Sequence, residues 1–274
     1  MPELPEVEEV RRSLEPAILG RTIAAIPALR RDYLTPHDAP LQGVIGRTFV
    51  GTRRHGKKLF CLLDDGQTLL FHLGMTGFIE VVAPDHAPEP HTHVTLALDD
   101  GRELRMSDPR RFGGLWYYPA LAAAWAAEVE GHMGPDALGL RVADLAGWAK
   151  APRAARLKPR LMNQRDVAGL GNIYADESLW LARLHPLQTV RRLRRDEVAR
   201  LVAAIRALLR RSIRCGGTTI RDYRNARREP GAFARRLHAY GRGGQPCHRC
   251  ATSLSQVTIG GRTTVWCPTC QRRR

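Results

Sequence analysis

Apolar residues near the start of the chain recur with the spacing of an amphipathic helix. The apolar positions are Val7, Val10, Leu14 and Ile18. Glutamates gather toward the start of this segment and Gly20 follows its last apolar residue, as is typical of the two ends of a helix. The pattern therefore predicts one helix that buries this apolar face and ends by Gly20.

Eight short runs rich in branched and aromatic residues follow this helix. They span residues 22–26, 48–51, 59–63, 68–73, 78–82, 94–98, 103–106 and 115–118. Runs of this length and composition are typical of β-strands, and the dipeptides Asp65-Gly66 and Asp100-Gly101 favour tight hairpins. We therefore expect an antiparallel sandwich or barrel, and not a parallel sheet.

The hydrophobic pattern changes between residues 131 and 140, where three glycines and a proline interrupt the chain. The segments beyond this interruption are longer and helical. Residues 196–214 place apolar side chains on one helical face and are followed by Gly216-Gly217, which predicts a long helix. We expect a domain boundary at the interruption.

Charge is distributed unevenly along the chain. The formal net charge is +16, but residues 1–150 contain 16 basic and 20 acidic residues, whereas residues 151–274 contain 27 and 7. A cationic surface of this size attracts polyanions, and nucleic acid is the first candidate; a basic face that meets only solvent is the alternative. Without an apolar run of about 18 residues or a signal-peptide pattern, we expect a soluble, intracellular protein with no membrane partner.

Four of the six cysteines are arranged as two C-x2-C pairs. They are Cys247, Cys250, Cys267 and Cys270. Each pair presents two thiolates to one ion from a tight turn, and four thiolates satisfy a tetrahedral zinc without leaving a position open for catalysis. The pattern predicts one structural Zn²⁺ that holds a β-hairpin with Gly260-Gly261 at its turn; two disulfides are the alternative.

These patterns together predict an α+β fold. We expect a β-sandwich domain with an N-terminal helix at residues 1–132, a linker at 133–150, a helical domain at 151–236 and a zinc ribbon at 237–274. The charge counts assign the cationic surface to the two C-terminal parts.

The second residue is a proline whose nitrogen becomes a free secondary amine if Met1 is removed. Such an amine has a pKa of roughly 7.7–8.0 and is partly unprotonated at neutral pH. It can attack C1′ of a sugar, expel the base and form an iminium ion, while Glu3 or Glu6 supplies a carboxyl group for proton transfer. On its own, an N-terminal proline usually has no catalytic role.

Several longer motifs resemble, in the same order, those of the formamidopyrimidine-DNA glycosylase family. They are residues 1–8 (MPELPEVE), 72–77 (HLGMTG), 108–113 (DPRRFG), 158–159 (KP), 169–177 (GLGNIYADE), 216–219 (GGTT) and the cysteine ribbon. The resemblance covers essentially the whole chain. It implies a bifunctional DNA glycosylase and abasic-site lyase of base excision repair, which excises 8-oxoguanine and formamidopyrimidines and then cuts the backbone by β- and δ-elimination.

The resemblance also implies the catalytic residues. In the family the mature N-terminal proline is the nucleophile and the next glutamate is the acid/base group, which match Pro2 and Glu3. A lysine that assists elimination matches Lys57, because this residue follows a glycine as in the family, with Lys58 as the alternative. The ribbon arginine, which holds a phosphate and aids the second elimination, matches Arg262.

A base inside a duplex must be swung out before an amine can reach its sugar, and the gap must be filled. The family fills this gap with a methionine, an arginine and a phenylalanine, which match Met75, Arg110 and Phe112. Such an apolar wedge with a cation is a sensible combination. Ordinary core packing is the alternative for the two apolar side chains.

Further DNA contacts follow from the same resemblance. The family's helix-two-turns-helix motif grips phosphates beside the lesion, and its asparagine matches Asn172. Other phosphate or lesion contacts match His91, Arg153 and Lys158. Residues 218–228 correspond to the family's lid over the extruded base.

Two other functions remain open from the sequence. The sister endonuclease VIII type prefers oxidised pyrimidines, and Leu4 and the motif at residues 108–113 argue against it. A zinc-ribbon protein that only binds DNA would share the charge and the metal site. We expect a bacterial, cytoplasmic, nucleoid-associated monomer whose partner is duplex DNA with oxidised bases or abasic sites.

Overall fold

A computed structural model describes residues 2–220 and 222–273. The chain forms two compact units: the first contains the chain up to Glu130 together with Ile213–Phe233, and the second contains Gly131–Ser212 and the chain from Ala234 onward. The sequence places residues 213–233 in the helical domain 151–236, whereas in the structure they pack within the first unit. The finer division, with a linker at 133–150 and a separate ribbon, stays a prediction.

Helix α1 spans Leu4–Ile18 and buries the predicted apolar face. Each of the four predicted apolar side chains, all of which are buried, contributes about 1.5–3 kcal/mol to folding. The segment 213–233 contacts this helix, and in one such contact the Ser13 hydroxyl accepts a hydrogen bond from the Ala226 N–H at 3.0 Å. The helix therefore connects the start of the chain with a segment more than 200 residues away.

Nine strands in the described part of the first unit form two sheets. The first sheet has the strand order β1-β7-β8-β6, and its strands are β1 (Ile23–Leu29), β6 (Phe78–Val82), β7 (Thr92–Leu98) and β8 (Glu103–Ser107). The second sheet has the strand order β2-β9-β5-β4-β3, and its strands are β2 (Leu34–Thr35), β3 (Phe49–His55), β4 (Lys58–Leu63), β5 (Thr68–His72) and β9 (Gly114–Tyr118). The predicted antiparallel sheets and both tight hairpins are confirmed. The difference is β2, which pairs with β9 in parallel over two residues.

Alternate side chains of β4 enter two different apolar clusters. Leu59, Cys61 and Leu63 join the main core, which also contains residues of the other sheet. Phe60 points to the opposite face, where it packs in a smaller cluster with helix α2 (Leu121–Glu128). Because both faces of the strand are covered, its sequence is a continuous apolar run and does not alternate.

The second unit is helical and ends in a β-hairpin. Its elements are α3 (Leu157–Met162), α4 (Asn172–Ala182), most of α5 (Arg195–Arg214), β10 (Ser255–Ile259) and β11 (Arg262–Trp266). Helix α5 is the predicted long helix, and the α+β class is confirmed. Across residues 2–220 and 222–273, no helix has the length and apolar character needed to cross a membrane.

Candidate active site and metal centre

Hydrogen bonds and an ion pair fix the direction of β3 along helix α1. Near the end of the helix, Glu15 accepts hydrogen bonds from the N–H and the hydroxyl of Thr52 at 3.1 and 2.8 Å. Near its beginning, the Glu8 carboxylate accepts a hydrogen bond from Nε of Arg54 at 3.0 Å. The strand therefore runs toward the N-terminal end of the helix, and the turn after it lies at that end.

This arrangement brings three of the predicted catalytic residues to one end of α1. Pro2 and Glu3 immediately precede the helix, and Lys57 lies in the turn that joins β3 to β4. All three side chains are buried in the described chain. If Met1 is removed, these residues offer a secondary amine, a carboxyl group and an ammonium group, which are the groups that the predicted base release and elimination would use.

The structure favours Lys57 over Lys58 as the functional lysine. The ammonium group of Lys58 forms an ion pair with the carboxylate of Glu128 and donates to its carbonyl oxygen at 3.0 Å. Lys58 is therefore held at the end of α2. Gly56 and Lys57 are the two residues of the turn itself. Gly56 has a φ of +56°, and tight hairpin turns favour glycine at positions with positive φ.

Glu6 joins the N-terminus to the segment predicted as a lid. Its buried carboxylate accepts the Glu3 N–H at 2.8 Å and the Thr218 N–H at 2.7 Å. At Gly217, where φ is +83°, a Cβ would lie 3.2 Å from Glu6 Oε1, so this close approach favours glycine. Glu6 thus positions the backbone around Glu3, a role that its sequence position does not reveal.

Glu8 is excluded as a proton donor at neutral pH. Burial raises the pKa of its carboxyl group, but hydrogen bonds from Arg11 and Arg12 and the charge of Arg54 lower that pKa to about 2. The group therefore stays ionised.

Asp108 organises the two loops that carry the predicted gap-filling residues. Its buried carboxylate accepts hydrogen bonds from the Thr76 hydroxyl at 2.6 Å, the Gly113 N–H at 2.8 Å and the Arg110 N–H at 3.2 Å. The Tyr33 hydroxyl donates a fourth at 3.3 Å. Burial and the Asp108 charge raise the pKa of Tyr33, so its hydroxyl keeps the proton that it donates.

The gap-filling candidates lie next to one another on these loops. Met75 is 39% exposed and Phe112 is 54% exposed, which argues against core packing of either side chain. The guanidinium group of Arg110 lies 4.6 Å from the centre of the Phe112 ring. The loops touch at Gly74, where a Cβ would lie 2.4 Å from the carbonyl carbon of Phe112.

Replacing Asp108 by asparagine is expected to lower the free energy of unfolding by about 2 kcal/mol. The substitution exchanges one carboxylate oxygen for an NH2 group, which would point a hydrogen-bond donor at the N–H and hydroxyl groups that now donate to Asp108. Urea unfolding measures this change. The matched control is Asp99→Asn, since Asp99 is exposed and only approaches Arg21 at 3.7 Å. Equal stability of the two variants would show that Asp108 does not hold the loops.

A direct phosphate contact requires a side chain at the surface, but the Lys158 side chain is buried. Its side chain is 1% exposed, and Nζ lies 2.7 Å from Asp176 Oδ1. It also donates to the carbonyl oxygen of Thr263 at 3.0 Å and to the Thr264 hydroxyl at 2.9 Å. Through these contacts Lys158 holds β11 against α4 from inside the unit, and its predicted phosphate or lesion contact stays a prediction.

Asn172 and Arg262 come together through a shared neighbour. Asn172 is the first residue of α4, and its Nδ2 donates to the carbonyl oxygen of Thr263 at 3.0 Å. Arg262 is the residue before Thr263, and it pairs with Ile259 across the turn of the hairpin, where it is exposed. An exposed cation therefore lies beside a helix N-terminus, where anions are favoured.

The two remaining predicted DNA contacts are also exposed. His91 lies just before β7 in the left-handed region with a φ of +65°, and its carbonyl oxygen accepts the Asp108 N–H at 3.1 Å. Asp108 therefore connects His91 to the gap-filling loops. Arg153 lines a cleft in the second unit.

The four ribbon cysteines fit a zinc ion. Their sulfur atoms all lie within 4.8 Å of one another, and a tetrahedral ion with bonds of about 2.3 Å needs sulfurs about 3.8 Å apart. The N–H groups of Arg249 and Cys270 point to the Cys247 and Cys267 sulfurs at 3.5 and 3.4 Å. The sulfur atoms of Cys250 and Cys267 lie 3.4 Å apart. This distance is too long for a disulfide, whose S–S bond is about 2.05 Å. The predicted structural zinc site is confirmed.

Three families match successive parts of the chain. They are described as the formamidopyrimidine-DNA glycosylase N-terminal domain at residues 1–115, the formamidopyrimidine-DNA glycosylase H2TH domain at 133–224 and a zinc finger found in FPG and IleRS at 244–273. The predicted helix-two-turns-helix region and zinc ribbon therefore agree with these matches.

Similarity also extends over whole proteins. A formamidopyrimidine-DNA glycosylase from Herpetosiphon aurantiacus is 42% identical over 276 residues, which cover 99% of this chain and 100% of the relative. The Lactococcus lactis Fpg in complex with abasic-site DNA superimposes with a TM-score of 0.91 at 32% identity, covering 99% and 100% of the two chains. The MutM (FPG) protein from Thermus thermophilus gives a TM-score of 0.87 at 36% identity, with both chains fully covered. The chain therefore belongs to the formamidopyrimidine-DNA glycosylase family.

Proposed function

We propose that this protein is a bifunctional DNA glycosylase and abasic-site lyase that removes oxidised purines from duplex DNA in base excision repair. Whole-chain similarity to formamidopyrimidine-DNA glycosylases carries the proposal. Solved structures of the Lactococcus lactis relative contain DNA with an abasic site or with Fapy-dG. The placement of Pro2, Glu3 and Lys57 at one end of α1 supports the same chemistry here.

The proposed reaction begins once Met1 has been removed. The Pro2 nitrogen attacks C1′ of the damaged nucleotide, and the base leaves with the electrons of its bond to C1′ and takes up a proton. Glu3 moves the proton that lets the sugar ring open. The resulting iminium ion has no N–H proton to lose, so it remains positively charged while the strand is cut.

Elimination then breaks the backbone. The iminium ion acidifies the C2′ hydrogen, and loss of this proton expels the 3′ phosphate, a step that we assign to assistance by Lys57. A second elimination expels the 5′ phosphate, which Arg262 holds. Both ends of the gap then carry phosphate.

DNA contacts complete the proposal. Met75, Arg110 and Phe112 fill the gap left by the everted nucleotide, while His91, Arg153 and Asn172 contact the backbone or the lesion. We also propose that the protein acts as a monomer in the bacterial cytoplasm, at the nucleoid.

A panel of damaged duplexes tests this function. We expect release of 8-oxoguanine paired with cytosine and of formamidopyrimidines, with products that carry phosphate at both ends of the gap. Gel analysis of the cleaved strands and mass measurement of the released bases provide the readout. Preference for thymine glycol would support the endonuclease VIII type instead, and binding without base release would support a protein that only binds DNA.

A further inference from the structure

A cleft in the second unit is lined almost entirely by arginine. Its volume is about 650 Å³, and its lining residues are Arg153, Arg156, Thr189, Arg191, Arg192 and Arg273. They come from three parts of the chain: the segment before α3, the segment at 189–192 and the C-terminal end. Five guanidinium groups around one cleft create a local positive potential that attracts anions.

Carboxylates do not neutralise this cluster. Within residues 2–220 and 222–273, none of the five arginines forms an ion pair with an aspartate or glutamate, and Arg156 donates to the Thr189 hydroxyl at 2.5 Å. Other exposed arginines do have carboxylate partners: Arg30 lies 2.6 Å from Asp32 and Arg47 lies 2.9 Å from Asp65. Within the described residues, the cleft therefore concentrates positive charge with no carboxylate at ion-pair distance from its arginines.

We propose that this arginine cleft binds consecutive phosphates of undamaged duplex DNA and so adds affinity that does not depend on a lesion. Guanidinium groups bind phosphate oxygens in pairs, and their charge is permanent. The inference rests on the proposed function, which makes DNA the polyanion that this protein meets. The resemblance matches Arg153 to a phosphate or lesion contact of the family, and the other four arginines extend that position into a site.

A small polyphosphate, such as a nucleoside triphosphate, offers the same chemistry. The described lining contains arginines and a threonine, with no aromatic side chain or amide side chain to stack on or pair with a nucleobase. Recognition in this cleft therefore depends on phosphate alone. A backbone that presents one phosphate after another can engage several of the arginines at once.

The test compares two charge-matched variants of the full-length, zinc-loaded protein. R191Q/R192Q removes two cleft arginines, and R30Q/R47Q removes two exposed arginines with carboxylate partners; each pair lowers the net charge by the same amount. Fluorescence anisotropy with a labelled, undamaged duplex gives Kd at several salt concentrations. We plot the logarithm of the affinity against the logarithm of the salt concentration. For R191Q/R192Q we expect this slope to be shallower than that of the wild type by roughly 1–2, because each lost phosphate contact changes it by about 0.9.

The outcomes separate this inference from its rivals. Equal changes in both variants would overturn it, because they would report only net charge. Tight binding of inorganic triphosphate that R191Q/R192Q abolishes, without a change in the salt slope for duplex DNA, would also overturn it in favour of a small polyphosphate. If R191Q/R192Q shows the shallower slope but the wild-type protein releases no base, the proposed function is overturned and this inference stands.

Discussion

Substitution of Pro2 by glycine is expected to slow base excision roughly 100-fold or more, because the nucleophile changes from a secondary to a primary amine. An imine of glycine can lose its proton and its charge, whereas the proline iminium ion cannot. Acetylation of the mature N-terminus, or retention of Met1, should abolish excision. Borohydride present during the reaction should join the wild-type protein to lesion DNA, and peptide mapping should locate the bond at Pro2.

Pro5→Ala is the matched control for this substitution. Pro5 lies in the first turn of α1, at the same end of the helix, but its nitrogen belongs to a peptide bond. Alanine is a good helix former, so this variant should keep excision within a few-fold of the wild-type rate. Full activity of an acetylated protein, or a cross-link to another residue, would show that the Pro2 amine is not the nucleophile.

Features that depend on neighbouring residues could be predicted from the sequence. The spacing of Val7 and Val10 identifies the buried face of α1, and Asp65-Gly66 marks a hairpin because a tight turn restricts its residues locally. The four cysteines identify the metal site for the same reason, since each C-x2-C pair supplies two ligands from one turn.

Features that depend on distant contacts could not be predicted. The packing of residues 213–233 in the first unit rests on hydrogen bonds to Glu6 and Ser13, which lie more than 200 positions earlier. Strand β2 contains two residues, too few to show any periodicity, and it is stabilised by its pairing with β9. Helix α2 consists mostly of alanine and has no distinct apolar face, so the pattern did not indicate it.

The candidate site shows the same division. Motifs identify residue types, but burial depends on tertiary partners. The motif predicts Lys158 as a phosphate or lesion contact, and because lysine is rarely buried it does not indicate burial. The Asp176 carboxylate and the neighbouring Thr263 and Thr264 explain why this lysine is buried. In the motif at residues 108–113 the arginines suggest DNA contacts, whereas the aspartate organises the loops through hydrogen bonds that its sequence position does not reveal.

Loss of the zinc ion is expected to unfold the ribbon and to stop the second elimination while the first continues. Cys247 and Cys267 are buried in a small apolar cluster with Trp180, Leu254 and Val265. A cluster of this size cannot fold the hairpin alone, and zinc contributes on the order of 10 kcal/mol to such an element. Unfolding would displace Arg262, which lies at the hairpin turn and is the proposed partner of the phosphate that leaves second.

Cys267→Ser tests this expectation, with Cys215→Ser as the matched control because Cys215 lies outside the cysteine cluster. The measurements are the zinc content per chain, tryptophan fluorescence and the ratio of β- to δ-elimination products on abasic DNA. Cys267→Ser should lose zinc, change the environment of Trp180 and accumulate the β-product, while Cys215→Ser should match the wild type. A Cys267→Ser protein that lacks zinc yet still completes the second elimination would show that the ribbon does not position Arg262 for that step.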